Sequence, residues 1–154
     1  MDESTFKLEP YFIRGWFKIG SRPTKKYVLN KFHKTHVFGA ISKKRRFVKL
    51  SDKINSKKFL AFIKRLKKNV RKLCIVTDNG RWHITKEVLS FVKENKIVMI
   101  RIPPYSPEVN PIEQYWKNNK NYLATKAYFD KKGLVREVKK SLRKDILVPK
   151  ISDY

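Results

Sequence analysis

Two short apolar segments on either side of an amphipathic stretch constrain the fold of this chain more than any other feature. Residues 73–77 and 97–102 are almost continuously apolar, which is typical of strands in a parallel sheet that is covered on both faces. Between them, Ile84, Val88 and Phe91 recur at helical spacing. A helix of this length can connect two parallel strands, so the pattern predicts a right-handed strand–helix–strand unit and an α/β fold.

Shorter strands and three further helices complete the predicted order. Turn residues and alternating polarity in the first third indicate an antiparallel meander with strands at residues 4–8, 16–19, 27–29, 37–41 and 47–50. A helix with one apolar and one basic face follows at residues 56–71. Two more helices begin at Pro111 and near Lys131, the second with Leu134, Val138 and Leu142 aligned.

The charge of the chain indicates a polyanionic partner. Lysine and arginine number 38 against 13 acidic residues, a formal net charge of +25 spread along all 154 residues. Such an excess favours binding to DNA or RNA over a purely solubilising role. With 41% hydrophobic residues the chain has enough apolar material for a packed core. No apolar run approaches the ~20 residues that span a bilayer, so we expect no membrane association.

Three of the few acids stand at the ends of predicted elements. Asp78 ends the apolar strand in LCIVTDNG, Glu113 lies in the first turn of the helix that begins NPIE, and Asp2 opens the chain. Each has a simpler explanation. Asp78 could form a turn with Asn79 and Gly80, Glu113 could complete a capping box, and Asp2 could be a solvated terminal residue. Taken together, the three acids could form a metal site. They supply only oxygen ligands, and without clustered histidine or cysteine such a site favours Mg²⁺ or Mn²⁺ over zinc.

The sequence around these acids resembles that of a known family. IPPYSPEVNPIEQYW, preceded by TDNGRWH and further upstream by DES and RGWFKIGSRPT, is similar to the catalytic domain of mariner-like insertion-sequence transposases of the DDE superfamily of endonucleases. The resemblance implies a ribonuclease H-like fold, with a mixed five-stranded sheet flanked by helices. We expect this domain at residues 1–126 and a C-terminal helical extension, packed on the same domain, at residues 127–154.

The resemblance also implies the chemistry. Asp2, Asp78 and Glu113 would be the catalytic residues and the ligands of Mg²⁺ or Mn²⁺, with two ions bound. Two such ions activate a water or a 3′-hydroxyl for attack at phosphorus. The reaction would be DNA cleavage at the ends of a mobile element and strand transfer into target DNA. Two alternatives remain open: a non-catalytic basic nucleic-acid-binding module, and another ribonuclease H-like nuclease such as a junction resolvase.

Several other residues are candidates for DNA contact. A predicted hairpin turn carries four consecutive cations, and we expect phosphate contacts from Lys43, Lys44, Arg45 and Arg46, with further ones from the basic helix face at Lys64, Arg65, Lys67 and Lys68. His83 either contacts the scissile phosphate or is an ordinary polar residue near a helix start. Tyr105, in the proline-rich PPYSP segment, stacks on a base or sugar or is structural. Cys74 is expected to be a small core residue in a reducing compartment.

The chain departs from the family at its start. Nothing corresponds to the helix-turn-helix region with which relatives recognise DNA ends, and Asp2 follows only Met1, so the first strand lacks residues before its aspartate. We therefore expect the downstream part of a split or frameshifted frame, or a truncated copy. Its expected partners are transposon-end and target DNA, a second copy when assembled on DNA, and a separately encoded helix-turn-helix part. The expected location is the cytoplasm of a prokaryotic cell, on the nucleoid.

Overall fold

A computed structural model describes residues 1–11, 16, 18–21, 24, 30–104 and 106–149. Within these residues, five strands and four α-helices follow one another in the order expected from the sequence. Their bounds are β1 (Asp2–Leu8), β2 (Asn30–Ile41), β3 (Arg46–Ser51), α1 (Ser56–Asn69), β4 (Cys74–Thr77), α2 (Lys86–Glu94), β5 (Val98–Arg101), α3 (Pro111–Ala124) and α4 (Lys131–Leu142). Of the expected strands at 16–19 and 27–29, the first lies partly and the second wholly outside the described residues.

The first three strands form the predicted antiparallel meander. β1 pairs with β2 from Asp2 opposite Gly39, and β2 pairs with β3 from Ile41 opposite Arg46. Every second side chain of β1, beginning at Asp2, is buried. That period of two is the reason why this segment forms a strand with one fully covered face.

The core lies on both faces of this sheet. Val37 and Phe38 are neighbours in β2 and point to opposite faces, because successive side chains of a strand alternate. On the Val37 side, α3 and α4 close one cluster, which contains Phe6, Trp116 and Leu134 among others. On the Phe38 side, α1 packs together with β4, α2 and the side chain of Met1. Both helical faces that the sequence pattern predicted are the buried ones.

The predicted strand–helix–strand unit is present, but its strands are less buried than expected. β4 and β5 pair in parallel from Cys74 opposite Val98. Only Ile75 and Thr77 of β4 are buried, whereas Cys74 is exposed, so its assignment to the core was wrong. A continuous apolar run does not reveal whether a helix covers both faces, and here one face of β4 and most of β5 are left uncovered.

Hydrogen bonding divides the strands into two groups and not into one five-stranded ladder. In the described part of the chain, β1, β2 and β3 form one sheet and β4 and β5 another. β1 and β4 meet where the Met1 ammonium donates to the carbonyl of Val76 at 2.7 Å. A groove of about 860 Å³ lies between β2 and β4, so the two sheets approach each other at the end that carries Asp2 and Asp78. Within the described residues, no helix combines the length and hydrophobicity of a transmembrane span.

Candidate active site

Asp2 is a buried carboxylate at the start of β1. Its side chain accepts a hydrogen bond from the indole nitrogen of Trp116 at 2.9 Å. Trp116 stands one turn after Glu113 on α3, so β1 and α3 are joined at this point. Burial and the nearby charge of Glu113 raise the pKa of Asp2 from 3.8 to about 7. The structure therefore holds Asp2 beside the helix that carries Glu113.

The helix that carries Glu113 begins as the sequence predicts. Asn110 is the N-cap residue in extended conformation and Pro111 opens the first turn, where its missing N–H costs no hydrogen bond. The Asn110 side chain makes no capping hydrogen bond. Glu113 is exposed and lines a shallow pocket of about 310 Å³ with Lys117 and Lys120. Its carboxylate is thus accessible to a cation or a substrate from the solvent side.

Asp78 follows the last residue of β4 and is half exposed. One carboxylate oxygen accepts a hydrogen bond from the backbone N–H of Gly80 at 3.1 Å, which is the turn geometry that the simpler explanation anticipated. The same oxygen lies 3.0 Å from Nδ1 of His83. The hydrogen bond from His83 is the largest of the effects that lower the pKa of Asp78. The turn and the ion pair both hold this carboxylate in its ionised form.

His83 lies behind Asp78 and not on the protein surface. Its ring is fully buried against Phe59, with 4.1 Å between the ring centroids. Nδ1 faces Asp78, and Nε2 lies 3.2 Å from the carboxylate of Glu3. Burial lowers the pKa of His83, but Asp78 and Glu3 outweigh this effect and raise it to about 9. A ring without solvent exposure does not reach a phosphate in this structure, so the expected contact with DNA has no support here.

The three predicted ligands are not gathered into one closed set. Asp2 and Glu113 face each other electrostatically, whereas Asp78 is turned towards His83. Among the described residues, no group of three or more histidine, cysteine, aspartate or glutamate side chains is arranged to hold a metal ion. The assignment of Asp2, Asp78 and Glu113 as a ligand set stays a prediction.

The four cations of the hairpin predicted to bind phosphate differ in their exposure to solvent. Lys43 and Lys44 are exposed at the turn between β2 and β3. Arg45, also exposed, donates to the carbonyl of Asn69 at the end of α1. Arg46 is partly buried and is bound to the carboxylate of Asp145. The first three cations are therefore open to an anionic ligand, whereas Arg46 ties β3 to the segment that follows α4.

Sequence reasoning missed two groups at the site, and one candidate lies outside the description. Glu3 and Trp82 form a partly buried hydrogen bond at 3.0 Å, and nothing in their local pattern indicates it, because 79 residues separate them. The side chain of Asn79 donates to the carbonyl of Ile102, just after β5. Tyr105 is not among the described residues.

Comparisons with known proteins show the family of this chain. The family model of the DDE superfamily endonucleases matches residues 1–136. A 39 kDa protein of insertion element IS630 from Shigella sonnei is 38% identical over 63 residues, which cover 38% of this chain and 18% of the relative. Protein y4pE/y4sA of Sinorhizobium fredii is 32% identical over 62 residues, covering 40% of this chain and 44% of the relative.

Solved structures show the same fold. The Mos1 strand transfer complex superimposes with a TM-score of 0.70 at 16% identity, covering 96% of this chain and 47% of that one. The Mos1 mariner paired end complex with Mn gives a TM-score of 0.70 at 15% identity over 93% of this chain and 47% of that one. The predicted ribonuclease H-like fold is confirmed. The chain spans less than half the length of these relatives.

Proposed function

Because the chain belongs to the DDE superfamily of endonucleases, we propose that it is the catalytic domain of a transposase that cleaves DNA strands and transfers them during transposition. The observation that carries the proposal is the contact of Asp2 with the helix of Glu113, through the hydrogen bond from Trp116, in a protein of net charge +25. Neighbouring carboxylates repel each other, and a cation between them would relieve that repulsion. A cation between acids, inside a basic protein, suits chemistry on a polyanionic backbone.

The donor chemistry fits a divalent ion. Asp2, Asp78 and Glu113 offer only oxygen atoms, which Mg²⁺ and Mn²⁺ prefer. Related Mos1 structures include paired end complexes with Mn and with Mg. When bound, two such ions activate a water or a 3′-hydroxyl for attack at phosphorus and stabilise the leaving oxygen. In this proposal Trp116 holds Asp2 in place, and the half-exposed carboxylate of Asp78 would bind the ions.

The proposed substrates are transposon-end DNA and target DNA. Mos1 neighbours include a strand transfer complex and a paired-end complex with the left transposon end. By analogy, two copies of this chain would assemble on a pair of DNA ends. Lys43, Lys44 and Arg45 would contact phosphates of the duplex. The bacterial nucleoid is where such a protein would act.

Nicking of supercoiled plasmid DNA tests the proposal. We expect nicked product in the presence of Mg²⁺ or Mn²⁺, none with a chelator, and a loss of at least about 100-fold in Asp78→Asn. Circular dichroism and DNA binding of Asp78→Asn should match those of the original protein, because the amide is almost the same size as the carboxylate. Cleavage that survives both the chelator and this substitution would sink the proposal.

One observation supports a non-catalytic alternative. Lys43, Lys44 and Arg45 are exposed in a protein of net charge +25, and such cations bind nucleic acid whether or not the protein cleaves it. A non-catalytic module would bind DNA with a steep salt dependence and would show no metal-dependent cleavage. The nicking experiment separates the two functions. Comparison of branched DNA with transposon-end duplexes then separates a transposase from a junction resolvase.

A further inference from the structure

Glu3 is a buried carboxylate to which no role has been assigned. It follows Asp2 in β1, so its side chain points to the opposite face of the sheet. The side chain is only 3% exposed. It accepts hydrogen bonds from the indole nitrogen of Trp82 at 3.0 Å and from Nε2 of His83 at 3.2 Å. Burying a carboxylate costs free energy. The hydrogen bonds from Trp82 and His83 offset that cost.

The second ring nitrogen of His83 extends this contact to the active site. Nδ1 lies 3.0 Å from the carboxylate of Asp78, and it also has the hydroxyl of Thr77 at 3.2 Å. Packing of the ring against Phe59 leaves it without solvent exposure. The imidazole is therefore held in one orientation between two carboxylates, one on β1 and the other just after β4.

This chain of contacts matters because the backbone joins β1 and β4 only weakly. In the described residues the two strands belong to separate sheets, and they meet where the Met1 ammonium donates to the carbonyl of Val76. A single bond at the start of β1 does not fix the position of the following β1 residues relative to β4. The side-chain contacts from Glu3 through His83 to Asp78 supply the missing connection.

We propose that Glu3 is a positioning residue that, through His83, sets the place of the Asp78 carboxylate relative to Asp2 and so controls affinity for the divalent ion. This inference rests on the proposed function of Asp2, Asp78 and Glu113 as ligands. Two adjacent residues of β1 then have different tasks on opposite faces of the sheet. Asp2 lies on the side of Glu113, and Glu3 contacts His83. Groups that orient a metal-binding side chain from behind typically change metal affinity or activity 10- to 100-fold when replaced.

The test compares Glu3→Gln with the control Glu9→Gln in the full chain. Glu9 is a partly exposed glutamate just beyond β1 that pairs with Lys7. Affinity for Mn²⁺ is measured by calorimetry, and the position of Asp78 is followed by the chemical shift of its carboxyl carbon. We expect Glu3→Gln to bind Mn²⁺ about 10- to 100-fold more weakly and to shift the Asp78 signal, and Glu9→Gln to change neither.

A second variant keeps the inference testable if Glu3→Gln does not fold. Trp82→Phe removes one donor to Glu3 and leaves every charge in place. We expect it to weaken Mn²⁺ binding by a smaller factor and to shift the Asp78 signal in the same direction. A purely structural network would lower the melting temperature in both variants and leave the Mn²⁺ affinity of the folded protein unchanged.

The outcomes separate this inference from the proposed function. An Asp78 signal that is unchanged in both Glu3→Gln and Trp82→Phe overturns the positioning role, whether or not the protein cleaves DNA. If the Asp78 signal shifts but the original protein shows no metal-dependent nicking, the positioning of Asp78 stands and the proposed function fails. Mn²⁺ affinity in Glu3→Gln equal to that in Glu9→Gln overturns the control of metal binding by Glu3.

Discussion

Asp2 shows at the scale of one residue how a candidate active site opposes stability. The unfolded chain releases this proton near the ordinary pKa of 3.8, whereas the folded protein holds it until about pH 7 because the carboxyl is buried beside Glu113. Between these values the folded state binds more protons than the unfolded state. Without metal, the free energy of unfolding therefore falls as the pH rises from about 4 to about 7.

Replacing this carboxylate by an amide should reverse that loss. We expect Asp2→Asn to be more stable than the original protein by on the order of 2 kcal/mol at pH 8, with a smaller difference at pH 5, since one pKa unit corresponds to about 1.4 kcal/mol. The amide oxygen can still accept from Trp116. Urea denaturation with a chelator present measures both values. The same difference at pH 5 and pH 8 would contradict this explanation.

The roles of single residues were only partly predictable. Asp2, Asp78 and Glu113 were predicted as site residues because they stand at element ends in a sequence that resembles a known family, and their role stays a prediction. The role of Glu3 was not, because its partners Trp82 and His83 lie about 80 residues away and no periodic pattern links them. Contacts of this range follow from packing in three dimensions and leave no local trace in the chain.

At the scale of elements, β2 and α3 are in contact at a glycine. A Cβ atom on Gly39 would lie 2.4 Å from the Trp116 ring and 3.0 Å from Ile112. Both residues belong to the first turns of α3, the helix that carries Glu113, and Gly39 pairs with Asp2. The absence of a side chain here allows α3 to lie directly on the sheet.

Adding a methyl group at this contact should damage both stability and the site. We expect Gly39→Ala to lower the free energy of unfolding by about 1–3 kcal/mol, because overpacking forces Trp116 to move. Chemical denaturation measures the loss, and Lys34→Ala, at an exposed position of β2, is the matched control. Equal stability of the two variants would show that Trp116 does not pack against Gly39.

Elements with a strong helical period were predicted best. α1 was expected at residues 56–71 and is observed at Ser56–Asn69, since its apolar stripe leaves one possible buried face. The parallel pair β4 and β5 was predicted in type but not in burial, because apolar runs do not state what covers them. The grouping of strands into two sheets could not be predicted, since hydrogen bonding between β1 and β4 depends on how the two layers approach.

At the scale of the whole molecule, net charge would control the proposed association with DNA. Each phosphate contact releases counterions, so the affinity falls with salt by a log–log slope of about 0.9 per contact. Lys43, Lys44 and Arg45 project from one hairpin, whereas Arg46 is bound to Asp145. The first three are therefore expected to make the phosphate contacts.

A triple substitution of these three cations by glutamine should reduce the salt slope by about 2 to 3, measured by fluorescence anisotropy on a duplex. The control removes the same number of charges from α4, at Lys131, Lys132 and Lys139, which leaves the net charge of the two variants equal. A larger loss of slope in the α4 variant would place the main DNA contact on that helix and not on the hairpin.

Iron-directed cleavage of the protein tests most directly whether Asp2, Asp78 and Glu113 converge on one ion. Fe²⁺ replaces Mg²⁺ and, with ascorbate and hydrogen peroxide, produces hydroxyl radicals that cut the nearby backbone. Mass spectrometry then identifies the cut positions. We predict cuts beside all three residues, each suppressed by excess Mg²⁺. Cuts that omit Asp78 or Glu113, or that persist in excess Mg²⁺, would contradict a shared metal site.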